Sequence, residues 1–481
     1  MPFTVSRGDT VADQLAITPA PGKPALLLGA FDVAGLGYVV EEFFISGTAS
    51  SFRSAAELGP DGRWSVTPAD SADFATRMVM LTPADRTQFN GTVLVEWLNV
   101  SGGIDAPAVW MMAHREMVRA GYAYVAVSAQ RVGVEGGMNL MGLDMSLKSQ
   151  DPKRYAALRH PGDAFSYDIF TQAGRIIRDG QRNGVLRELR AEHVVALGES
   201  QSALFLTTYI NAVDPLAQVY DGFLVHSRFG PAAPLDGGSI FDVLDSSASQ
   251  AVRFRPDLRV PLVTIITETD LFGGRRQGYY SARQPDSQQL RVWEIAGTAH
   301  ADNYTILVAP IDTGSAALTD IVAAYAPTNM LMGHQLDHFI NFAPQHHYVL
   351  QAALSQLCQW VRIGRPATSA APIELSDAEP PQPVLDANGL ARGGVRTPWA
   401  DVPIARTSGV GTEESTMSSI FGSGEPLDAA AVRRLYPGGV ADYLERFTAA
   451  LDSSIQSGFI LTTDREEILQ LAAATFPDVN D

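Results

Sequence analysis

The sequence predicts an α/β fold: a mostly parallel central sheet flanked by helices, with a β-rich N-terminal part and a C-terminal accessory segment. Three observations predict it. From residue 91 onward, apolar runs of strand length alternate with helical stretches, the signature of a parallel sheet with helices on its faces. Those runs are nearly continuous in apolar residues, as in strands covered on both sides. Before residue 91 and beyond about residue 365 the alternation stops and the composition changes.

The elements follow in order. Residues 38–47 are rich in β-branched and aromatic side chains and predict a strand, and 76–83 predict another, closed by Pro83. Residues 92–98 (Thr-Val-Leu-Val-Glu-Trp-Leu) predict a buried parallel strand, with a helix over about 106–120 and a strand at 122–128. An amphipathic helix is expected over 165–179, a short strand at 193–197 and an apolar helix over 203–212. Strands at 222–226, 262–266 and 290–295 complete the series, and a last helix covers about 348–361. The proline-rich stretches 366–372 and 379–383 read as extended linker, 389–424 as Gly-rich loop, and 429–435 and 440–451 as helical pieces. This divides the chain into a β-rich part of the core (1–90), a catalytic core (91–365) with inserts at about 229–258 and 302–344, and a linker with an accessory segment (366–481). The inserts are candidates for a lid, and the tail for a cap.

Composition excludes several classes of function. The 481 residues are 46% hydrophobic and 18% charged, which is ordinary globular chemistry rather than disorder. The net charge of -18 repels phosphate backbones and anionic lipid, so no nucleic-acid or membrane partner is expected. No window approaches 18 apolar residues, and residues 1–7 lack the charged-then-apolar run of a signal peptide, so a cytoplasmic protein is expected. The single cysteine, Cys358, sits at helical apolar spacing and reads as a small buried hydrophobe. One cysteine allows neither an intrachain disulfide nor a thiol metal cluster.

In parallel sheets the chemistry lies at the carboxyl ends of the strands. There the sequence places Gly198-Glu199-Ser200-Gln201-Ser202, between the strand at 193–197 and the helix that follows. A serine on a sharp strand-to-helix turn is the arrangement of a nucleophile, and the turn admits only small residues two positions to either side. Gly198 fits; Ser202 fits sterically but departs from the usual glycine. A base is expected after the last strand, and His300, in Gly297-Thr298-Ala299-His300-Ala301-Asp302, has that address. His193 begins its strand, at the wrong end of the sheet, His226 precedes the expected acid, and His346 and His347 read as the start of the last helix. His334 and His338 have the i, i+4 spacing of a metal pair, but Gln335 stands where a metalloprotease has glutamate, so no metal site is expected.

The acid that orients the base is expected after the strand at 262–266. Glu268 and Asp270 both lie there, and in extended chain they point the same way. Asp270 fits the distance from the strand better, and Glu268 is the alternative acid. The oxyanion donors are expected to be the backbone N–H of Gln201, at its helix N-terminus, and one from the loop Asn99-Val100-Ser101-Gly102-Gly103, with Asn99 or Val100 at its start.

These segments carry a resemblance. Asn90 to Gly103, the Ser200 turn, Thr267-Glu268-Thr269-Asp270, the His300 loop and Gly393-Gly394-Val395-Arg396-Thr397-Pro398-Trp399 resemble the signature of a bacterial "alpha/beta hydrolase domain" family of large esterase-like proteins. The likeness runs from about residue 37 to 475. It implies an α/β-hydrolase fold and a Ser-acid-His triad on the positions named, without naming a substrate. The Gly-Glu-Ser start also resembles carboxylesterases. The expected function is therefore a serine esterase that needs no cofactor and acts on a small-molecule ester. Alternatives on the same residues are an acyltransferase, a lactone or amide hydrolase, or a non-catalytic binding protein on a hydrolase scaffold. Metal-dependent hydrolysis through His334 and His338 is a further one.

Overall fold

Nine strands among the described residues pair side by side into one sheet. In the computed structural model, which describes residues 15–244, 249–274, 276–410 and 418–477, the strands are β1 (Ala16–Pro19), β2 (Tyr38–Ser54), β3 (Val66–Pro83), β4 (Thr92–Trp97), β5 (Ala123–Val127), β6 (His193–Glu199), β7 (Gly222–His226), β8 (Leu262–Thr267) and β9 (Leu290–Ile295). Residues 1–7, read above for a leader, lie outside the described residues, as do 245–248 of the first insert and 411–417 of the Gly-rich stretch. The sheet order is β1-β2-β3-β5-β4-β6-β7-β8-β9. β1, β2 and β3 are antiparallel, β3 meets β5 antiparallel, and every pair from β5 to β9 is parallel. The expected fold class is the observed one.

The parallel strands are apolar throughout because both faces are covered. On one face Tyr124 and Trp293 of the sheet share a core with Trp110 of α1 (Ala108–Arg119) and Cys358 of the long helix Gln345–Ile363. On the other, Trp97 of the sheet packs against Phe170 of α2 (Ser166–Arg178) and Phe205 of α3 (Gln201–Thr208), with Tyr209 beside them. Burial pushes the Cys358 thiol up to about 12, so it stays a neutral core group.

Three findings depart from the sequence reading. β2 and β3 form one long ribbon of 17 and 18 residues, much longer than the runs read as strands, because their polar outer halves pair with each other. The proline-rich stretch after the helix Gln345–Ile363 runs extended but is no free spacer. It lies beside β9, the sheet's edge, and holds two of its side chains: Trp293 Nε1 donates to Thr368 O (2.7 Å) and Ile373 N donates to Glu294 Oε2 (2.8 Å). The chain then returns, and Val395 of the Gly-rich stretch pairs with the edge backbone, donating to Glu294 O and accepting from Ala296 N, groups that would otherwise stand unpaired. Third, a helix at Arg465–Thr475 follows the two expected in the tail, and it packs on Val440–Gln456. Among the described residues no helix is long and apolar enough to cross a membrane.

Candidate active site

The turn after β6 is built to expose one side chain. Ser200 has φ 56° and ψ −118°, a conformation a side chain seldom adopts and one that surrounding contacts must hold. Its N–H donates to His226 O (2.9 Å) across the sheet. A Cβ on Gly198 would meet the Ser202 carbonyl oxygen at 3.0 Å, which explains the glycine. Ser202 does more than fit. Its hydroxyl donates to Glu199 O (2.8 Å) and accepts from Glu199 N (3.0 Å), so it laces the strained turn closed where a glycine offers nothing.

His300 and Asp270 reach this turn from the ends of β9 and β8. Ser200 Oγ lies 2.8 Å from His300 Nε2, and His300 Nδ1 lies 2.5 Å from Asp270 Oδ1. Asp270 is fully buried, and its Oδ2 accepts from Thr267 N (3.0 Å) and Thr267 Oγ1 (2.7 Å). Burial works against the imidazolium of His300, but the Asp270 carboxylate, with Glu199 nearby, outweighs it and raises the ring's pKa above its ordinary value. The Phe229 ring stacks on His300.

The two candidate carboxylates part company. The chain is not extended beyond β8, as the sequence reading supposed. Glu268–Phe272 is a helical turn capped by Thr267 and Asp270, so the two side chains diverge. Asp270 meets His300. Glu268 turns away, accepting from Gly297 N of the His300 loop (2.6 Å) and from Ser408 Oγ (2.8 Å) and Gly409 N (2.9 Å) of the tail.

The expected oxyanion donors also divide. Gln201 opens α3, where the first N–H groups have no acceptor within the helix. The Val100 N–H makes one long contact, 3.3 Å, to the Gln201 side chain. Asn99 needs a correction: its N–H is committed to Ala106 O (3.0 Å), because residues 99 and 106 bridge as an antiparallel pair. Its side chain donates instead to Glu199 Oε2 (2.9 Å).

Glu199, part of the motif but given no role from sequence, stands 3.5 Å from His300 Nε2, and burial pushes its carboxyl up to about 7. His226 also borders the cavity, although it was set aside as a base. His334 lies on a short strand, His334–Gln335, with His338 in the bend beyond, so the two lack the helical geometry their spacing suggested. His346 and His347 do lie in the first turn of the helix Gln345–Ile363.

Ser200 and His300 open into a cavity of about 280 Å³. Both inserts help wall it, the first through Phe241 and Leu244 and the second through Ile306 and Met332. Another cavity of about 280 Å³, beside Trp399 and Leu471, has no carboxylate, imidazole or ammonium among its described lining residues.

A family model described as "Alpha/beta hydrolase domain" matches residues 8–470. The chain belongs to the alpha/beta hydrolase domain family. No curated protein matches it in sequence. Among solved structures, this alpha/beta hydrolase is similar to a fungal esterase from Rhizomucor miehei (12% identity, 58% of this chain and 82% of that one, TM-score 0.30). It is also similar to a glucuronoyl esterase from Solibacter usitatus (11%, 55% and 70%, TM-score 0.28) and to an esterase from Pyrococcus furiosus (10%, 56% and 87%, TM-score 0.27). Likenesses this distant say nothing about the substrate of this hydrolase.

Proposed function

We propose that the protein is a serine esterase that cleaves small carboxylic esters through an acyl-enzyme on Ser200. One observation carries the reading: Ser200 Oγ, His300 and Asp270 stand in one hydrogen-bonded chain, at 2.8 and 2.5 Å, beyond the carboxyl ends of β6, β9 and β8, with Ser200 and His300 lining a cavity. His300 Nε2 takes the Ser200 proton as Oγ bonds to the ester carbon. The carbonyl oxygen becomes an oxyanion, met by the N–H groups of Gln201 and Val100; the long Val100 contact to the Gln201 side chain yields to it. The intermediate collapses, and the alcohol leaves with the proton from His300. Water then repeats the sequence on the acyl-enzyme, and the acid departs. Asp270 holds the His300 tautomer and stabilises the imidazolium. Glu268 anchors the tail instead.

A series of p-nitrophenyl esters of increasing acyl length tests this. The wild type is expected to turn over the members that the cavity admits, and Ser200→Ala to lose about 10⁴-fold or more of that activity. Turnover by Ser200→Ala at the wild-type rate overturns the proposal.

A further inference from the structure

Glu199 is the one carboxylate among the described residues that line the cavity of Ser200 and His300. Its Oε2 accepts from the buried side chain of Asn99 (2.9 Å), which holds the carboxylate in place. Its Oε1 lies 3.5 Å from His300 Nε2, and no described residue donates a hydrogen bond to it. Oε1 is not one of the polar atoms sealed inside the protein, so it opens on the cavity.

His300 does not serve this oxygen. In the resting triad His300 donates through Nδ1 to Asp270, so Nε2 accepts from Ser200 and carries no proton. When Nε2 gains the Ser200 proton, the leaving oxygen takes it. Oε1 is therefore an acceptor in a mostly apolar cavity, and its donor must come from water or from the substrate. Its place tells which part of the substrate. The leaving oxygen rests against Nε2 to receive the proton, and Oε1 stands 3.5 Å from that same nitrogen. A hydroxyl on the carbon next to the one bearing the leaving oxygen can thus reach Oε1 while the leaving oxygen stays on Nε2. An alkyl alcohol displaces water from Oε1 without replacing its hydrogen bond.

We propose that Glu199 selects esters of 1,2-diols, by accepting from the hydroxyl that neighbours the leaving oxygen. The inference rests on the acyl-enzyme reading above and names the alcohol half of its substrate. An ammonium in place of the hydroxyl fits worse. It brings three N–H groups to one oxygen, among walls such as Met111, Leu204, Phe241 and Ile306, and the guanidinium of Arg276 borders the same cavity. Glu199 is thus a specificity-determining residue.

Three butyrates test this: 2-hydroxyethyl butyrate, its methyl ether 2-methoxyethyl butyrate, and propyl butyrate, which has a methyl group where the first has its hydroxyl. Burial pushes the Glu199 carboxyl up to about 7, so assays at about pH 8.5 keep it ionised. The wild type is expected to have a kcat/KM about tenfold higher for the hydroxyethyl ester than for the other two. In Glu199→Gln the amide oxygen stays on Asn99, so an NH₂ faces the cavity and donates to a hydroxyl or an ether oxygen alike. The hydroxyethyl and methoxyethyl esters should then be cleaved within about twofold of each other. An effect of Glu199 on His300 or on folding slows both esters alike and cancels in their ratio. A wild-type ratio near one, or a tenfold ratio that persists in Glu199→Gln, overturns the proposal. So does a Glu199-dependent preference for propyl 2-hydroxybutyrate over propyl butyrate with none for the hydroxyethyl ester, because the hydroxyl then lies on the acyl half. A wild type that cleaves no ester, and is not labelled covalently at Ser200, overturns the acyl-enzyme reading instead.

Discussion

Replacing Asp270 by asparagine isolates what the carboxylate does. Its Oδ2 accepts two donors, Thr267 N and Thr267 Oγ1, while Oδ1 faces His300 Nδ1. An asparagine has one acceptor oxygen, and the two Thr267 donors claim it. Its NH₂ must then face His300 Nδ1, which forces the ring into the tautomer with its proton on Nε2. That proton points at Ser200 Oγ, and the base can no longer accept from the nucleophile. A triad locked in the wrong tautomer loses about 10⁴-fold in kcat, or about 5 kcal/mol of transition-state stabilisation. The Thr267 contacts survive, so Tm should fall by only a few degrees. Glu268→Gln is the matched control. Its oxygen can keep Ser408 Oγ and Gly409 N, but its NH₂ then opposes the donor Gly297 N, which should cost about 1–3 kcal/mol of stability, with a far smaller loss in kcat. Kinetics on a p-nitrophenyl ester and thermal melts of both variants decide the matter. If Asp270→Asn keeps wild-type kcat, or Glu268→Gln loses as much, the assignment of the acid is refuted.

Three further outcomes follow from the same geometry. The acid limb of kcat/KM should lie above the ordinary imidazole value of 6.5, because the Asp270 carboxylate outweighs burial at His300; a limb at or below 6.5 contradicts this. Ser202→Ala should cost about 1–3 kcal/mol in a denaturant melt, since it leaves the buried Glu199 N–H without its acceptor, and an unchanged midpoint would count against the lacing role of that hydroxyl. Glu96 accepts from Val109 N, Trp110 N and Tyr124 Oη, yet burial pushes its carboxyl from 4.5 up to about 8. A folded-state pKa raised in this way contributes stability that is full below 4.5 and lost as pH rises through about 8. Glu96→Gln should therefore flatten the decline of Tm over that window, and an unchanged slope would show that Glu96 is not raised.

Much of the fold was legible because parallel strands buried on both faces must be apolar, and that pattern survives in sequence. The Ser200 turn and the His300 loop were legible because their positions are fixed by neighbouring strands. The choice between Asp270 and Glu268 stayed open on the premise of an extended chain. A local signal could have closed it: Thr267-Glu268-Thr269-Asp270 before Leu271-Phe272 is a capping box, which turns the chain into a helix and separates the two carboxylates. Other features had no local signal. The Asn99 N–H is taken by a bridge to Ala106, Glu268 is satisfied by Ser408 and Gly409 some 140 residues away, and His226 meets His346 across 120 residues. The Glu268 contacts depend on how the tail docks on the sheet and the His226 contact on how the helix Gln345–Ile363 does, which periodicity does not encode. The proline-rich stretch misled for a related reason, since composition reports an extended backbone but not the Trp293 and Glu294 side chains that hold it beside the sheet.

The central claim is that Ser200 is the nucleophile and that His300 and Asp270 make it one. Treating the protein with a fluorophosphonate and locating the adduct by peptide mass measures this directly. The account predicts one adduct, on the peptide containing Ser200, absent in Ser200→Ala and formed far more slowly in His300→Ala. An adduct on another residue, or equal labelling of wild type and Ser200→Ala, would contradict it.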